Sequence, residues 1–133
     1  MLLIPVVNLR STLTAVIGCD FYTETDVPEI YPVLGHNVRS AFLTDALHHG
    51  LLSLEATVHD MTNLGGNTTL FPLDRDAWVN VTHVQQAVDA AQLRGSRITA
   101  TAVEGAEHEL HKHPELALRM VAAAVDELSL IHI

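Results

Sequence analysis

Thr68-Thr69-Leu70-Phe71-Pro72-Leu73, then a helical stretch from Thr82 to Leu93, then Arg97-Ile98-Thr99-Ala100-Thr101-Ala102-Val103: this succession decides the fold. The two outer segments are short runs of β-branched and apolar residues, as strands are. Between them Val84, Ala87, Val88 and Ala91 recur at helical spacing and predict one buried helical face. Thr82 with Gln85 reads as a capping box, and Gly95 as the stop. Strand, helix and strand in this order imply a right-handed crossover and parallel pairing.

Working upstream, Leu2 to Val7 is aliphatic apart from Pro5 and reads as another strand, the proline pointing to an edge or irregular position. Ser11 to Ile17 predicts a short helix ending at Gly18. Cys19 to Gly35 mixes aromatics, prolines and acids without a period and reads as irregular. Asn37 to His49 predicts a helix with Val38, Ala41, Phe42 and Ala46 on its apolar face. Leu51 to Asn63 predicts a second, with Leu54, Val58 and Met61 inward. Downstream, Pro114 opens a closing helix whose expected buried face is Ala117, Met120, Val121, Ala124, Val125 and Leu128. The expected architecture is α/β: about three parallel strands with flanking helices. The segment from about residue 9 to 66 is longer than a crossover requires and reads as a helical cap.

Composition narrows the function. A chain of 133 residues, 48% hydrophobic, holds one domain with a real core. Seven basic residues against sixteen acidic ones give 7 − 16 = −9. The basic residues stand one at a time, so the clustered charge that nucleic-acid binding needs is missing. A lone cysteine, Cys19, excludes an internal disulfide and fits a reducing compartment. Met1 to Val7 has no basic start or cleavage site and is too short to span a bilayer, so a cytoplasmic chain is expected. On that footing the sequons at Asn67 and Asn80 are coincidental.

In open parallel sheets the groups that contact ligands gather just past the carboxyl ends of strands. Asp76 follows the strand ending at Leu73, and His108 follows the strand ending at Val103. Their separation of 32 residues matches one strand–helix–strand unit of about 30, which puts both at one edge of the sheet. There Asp76 can hold the imidazole in the tautomer whose other nitrogen is a base. Singly, an aspartate after a strand is usually a turn residue and a histidine usually a surface one. It is the pairing that points to catalysis.

Other constellations are weaker. His108, His111 and His113 are crowded, but their spacing misses the helical zinc pair, and no metal or other cofactor is expected. His48-His49 suits the negative end of a helix dipole. Cys19 reads as a small core residue. Ser11, Ser40, Ser53, Ser96 and Ser129 lack the small flanking residues of a nucleophile elbow, so an acid and a base stand without their nucleophile.

These residues carry a resemblance. Val6-Val7-Asn8-Leu9-Arg10 with Thr12-Leu13 resembles the stretch after the nucleophile strand in the bioluminescence acyl-transferases, which are myristoyl-acyl-carrier-protein thioesterases of the α/β-hydrolase superfamily. Leu34-Gly35-His36, Phe42 and His48-His49 resemble that family's cap. Asp76-Ala77-Trp78-Val79 resembles its acid segment, and His108-Glu109-Leu110 its histidine loop. The likeness runs from about Val6 to Val125 and covers the family's C-terminal half. It implies Asp76 as triad acid, His108 as general base and a serine encoded upstream of Met1. Departures are Ala77, where the family tends to be acidic, and the His-rich stretch after the base.

The expected function is therefore that of a fragment, residues 1–127, of a serine-type thioesterase or acyltransferase acting on fatty acyl-ACP or acyl-CoA thioesters. A docking patch for an acyl carrier protein would lie around Arg10 and Arg39. The alternatives are a lipase or esterase of the same fold, and a non-catalytic half-domain whose Leu2–Val7 edge is unpaired; for the chain as it stands, the last is favoured. Leu128-Ser129-Leu130-Ile131-His132-Ile133 looks like a translated sequencing adapter, so the native sequence is expected to diverge after Glu127.

Overall fold

The computed structural model describes residues 2–3, 5–23, 27–64, 66–109, 112 and 114–130. In chain order the elements are β1 (Leu2–Leu3), α1 (Leu9–Ile17), a 3-10 turn (Phe21–Thr23), β2 (Ile30–Val33), β3 (His36–Arg39), α2 (Ser40–His48), α3 (Leu54–Asn63), β4 (Thr68–Phe71), α4 (Val81–Gln92), β5 (Ile98–Ala100) and α5 (Pro114–Leu130).

The expected parallel sheet is present in the order β1-β4-β5. Leu2 and Leu3 pair with Leu70 and Phe71, and Thr68, Thr69 and Leu70 pair with Ile98, Thr99 and Ala100. The β4–β5 pairing outlasts both strands: Thr101 and Val103 donate to the carbonyls of Leu70 and Pro72 at 2.9 and 2.8 Å, and Leu73 bridges Val103. β1 is shorter than the Leu2–Val7 run suggests. Pro5 has no N–H to donate to a ladder, and the segment beyond it leaves the sheet.

Successive strand residues face opposite sides, and β4 supplies both cores in this way. Leu70 faces α3 and α4, in a cluster with Val7, Val58, Met61, Val84, Val88 and Ile98. Phe71 faces α5, in a cluster with Leu73, Val103, Leu116, Met120 and Ala124. The sheet is thus covered on both faces. All four residues of the expected α4 face are buried. Its cap, however, is Asn80, whose side chain accepts from the Thr82 N–H at 2.8 Å. Gln85 bonds Asp89 instead of closing the expected capping box.

Three further expectations change. The helix expected from Asn37 begins at Ser40, because 30–39 folds as an antiparallel hairpin in which Tyr31 pairs with Val38. Consequently Leu43 and Ala46 are buried, whereas Phe42 is 64% exposed. On α5 the buried stripe is Leu116, Met120 and Ala124, with Val121 and Val125 exposed. One residue in each of these turns is still buried, but the helix is rotated from the expected face by what it packs on. Lastly, α3 lies within the region expected as a cap, yet its Val58 and Met61 belong to the sheet's own core. The Leu128 side chain and residues 131–133 of the expected tail lie outside the described positions. No helix among the described residues is long and apolar enough to cross a membrane.

The hairpin turns on Leu34 and Gly35, with φ of 49° and 79°. Left-handed backbone at both central positions suits Asn-Gly; a leucine there is strained by about 1–2 kcal/mol. Leu34 is also 56% exposed, so packing does not offset that cost. Leu34→Asn is expected to stabilise the chain by about 1 kcal/mol, read as a rise in the urea midpoint. An unchanged or lower midpoint would mean the turn is not left-handed in solution.

Candidate active site

The loops leaving β4 and β5 are fastened to each other before either reaches its functional residue. Asp74 N–H donates to the Val103 carbonyl at 3.3 Å, and Arg75 N–H to the Ala106 carbonyl at 3.0 Å. In return the Asp74 carboxylate accepts from Ala106 N–H at 3.2 Å. Each loop also has an apolar anchor, Val79 in one core and Ala106 in the other. Gly105 makes the reversal possible: its φ of +76° is a conformation L side chains rarely adopt.

This fastening brings Asp76 and His108 together. His108 Nδ1 lies 2.9 Å from Asp76 Oδ2. Asp76 Oδ1 accepts from the N–H groups of Trp78 and Val79 at 2.8 and 3.0 Å. The Asp76 side chain is 1% exposed and that of His108 31%. A carboxylate so removed from water needs donors in place of its hydration; two amides and an imidazole supply them. Because the carboxylate only accepts, Nδ1 carries the proton, and in the neutral ring Nε2 therefore keeps its lone pair. Among the described residues Nε2 makes no hydrogen bond.

His108 opens on a cleft of about 310 Å³ lined by Arg75, Ala77, Trp78, Glu107 and Glu109. Glu109 is ion-paired with Lys112. The indole of Trp78 lies against the imidazole, with ring centroids 4.1 Å apart at 46°. His111 and His113, the other members of the histidine cluster, lie outside the described residues.

Other sequence candidates have structural duties. Ser53 caps α3, and the Ser40 and Ser96 hydroxyls donate to the carbonyls of Glu29 and Met61. Arg10 is bound by Asp20 through Nε and Nη2, the shorter contact 2.6 Å. That guanidinium holds the Asp20 carboxyl below the usual carboxylate range. Cys19 is half-buried. Sequence reading missed Asp74; the only local signal was a second aspartate two positions before Asp76.

The class these parts define is an α/β protein carrying a carboxylate–imidazole pair at the ends of adjacent parallel strands. The chain belongs to the acyl transferase family, whose family model matches residues 1–126. It is 29% identical over 108 residues to an acyl transferase of Shewanella hanedai, an alignment covering 79% of this chain and 34% of that protein. The chain thus spans about a third of the length of that curated relative.

Proposed function

We propose that Asp76 and His108 are the acid and base of a Ser-His-Asp triad in a serine-type acyl thioesterase or acyltransferase, similar to the bioluminescence enzymes. Its substrates would be fatty acyl thioesters of acyl carrier protein or coenzyme A. On this reading residues 1–127 are part of an α/β-hydrolase domain, and the serine comes from outside these 133 residues. The observation that carries it is the 2.9 Å contact between the shielded side chain of Asp76 and a partly exposed His108 whose Nε2 is unengaged among the described residues.

The chemistry follows from that geometry. His108 Nε2 takes the proton of the serine hydroxyl as its oxygen attacks the thioester carbonyl. Asp76 stabilises the imidazolium so formed. Collapse of the tetrahedral intermediate breaks the C–S bond, and the imidazolium returns its proton to the departing thiolate. Water or an alcohol then takes the acyl group from the serine by the same steps. Exposed Phe42, Leu47 and Leu51 give the segment expected as a cap the apolar surface an acyl chain needs.

The test is turnover by a full-length family member carrying these residues. It is expected to cleave long-chain acyl thioesters faster than glycerol esters, and to lose that activity on His108→Ala. Faster glycerol-ester cleavage would reject the thioesterase in favour of a lipase.

A further inference from the structure

Trp78 touches both members of the pair from one position. Its backbone N–H donates to Asp76 Oδ1 at 2.8 Å, and its indole lies against the His108 ring at 4.1 Å between centroids. The first contact fixes where the second falls: Asp76 folds the loop back on itself through the Trp78 and Val79 amides, and Val79 anchors that turn in the core. The indole is therefore carried on a backbone the acid has already set.

We propose that Trp78 is a positioning residue for His108, holding the imidazole against Asp76 and favouring its charged form during acyl transfer. The inference rests on the triad reading above. An aromatic ring within about 6 Å attracts a cation, and the indole lies well inside that distance of the imidazole. The other charged groups around His108 oppose one another. Arg75 lines the cleft against Glu107 and Glu109, Glu109 is held by Lys112, and Asp74 is engaged with Ala106 N–H. An indole contributes its attraction without adding a net charge to the cleft.

Two measurements test this. Trp78 is the sole tryptophan of the chain, so its emission reports this contact alone. An imidazolium touching an indole quenches its emission; the emission of this 133-residue chain is expected to rise as rising pH takes the proton from His108. His108→Gln should abolish that step, and a step that survives would overturn the contact. In the full-length enzyme, Trp78→Leu is expected to lower kcat about tenfold with KM unchanged, and Trp78→Phe to restore most of it. A raised KM with unaltered kcat would make Trp78 a substrate contact and sink the proposal. If His108→Ala leaves turnover intact, the triad reading itself fails, whereas the emission step still judges the ring contact.

Discussion

Asp76→Asn in the full-length enzyme is expected to lower kcat by about 10⁴-fold while leaving the fold intact. The amide oxygen can still accept from the Trp78 and Val79 N–H groups, so the loop keeps its shape. Its NH₂ group would face His108 Nδ1, which must then accept, and the ring proton moves to Nε2. A base that already holds a proton cannot take the serine's. His108→Ala should cost at least about 10³-fold, and the double variant little more, because the two act as one unit. Additive losses would mean that Asp76 and His108 work separately. Asp76→Ala is a poorer probe, since it also strands two amides with no acceptor and destabilises the loop.

Phe71→Ala is expected to destabilise the chain by about 3–5 kcal/mol, the range for buried aromatic truncations. Phe71 is 1% exposed, pairs with Leu3 across the sheet and fills the core beneath α5. It also lines the floor of an open cleft of about 550 Å³ between the end of β5 and α5. Against a usual domain stability of about 5–15 kcal/mol, a large share of the molecules would lose the α5 layer. Urea unfolding reads the total, and hydrogen exchange should show α5 amides losing protection before those of α4. A loss below about 1 kcal/mol would show that α5 is not docked on Phe71. Because Ala106 shares that core, the histidine loop should loosen with the helix, coupling stability to the site.

The elements that were legible in the sequence are those whose pattern is local. The α4 face was read from four apolar positions, and Gly18 and Pro114 bound their helices as expected. Asp76 and His108 were readable as a pair because a strand–helix–strand unit has a fixed length, which sets where its two strand ends fall. The hairpin was missed because Leu34-Gly35 lacks the usual turn pair, and because β2 alternates in burial while its residues, Ile30-Tyr31-Pro32-Val33, are apolar throughout, so no alternation in the sequence marks it. The rotation of α5 was missed for a different reason: Leu118, Val121 and Val125 are as apolar as the residues that are buried, and composition cannot rank them.

By itself, then, the sequence determined the α/β succession, the parallel pairing and the two residues that meet at the strand ends. Local backbone preference and apolar periodicity act over a few residues and need no neighbour to be read. Only the tertiary structure decided which faces are covered, that Asp74 fastens one loop to the other, and that Trp78 rests on His108. Those contacts join residues some 30 positions apart, and their geometry is set by the packing of two loops on two cores, which no local pattern encodes.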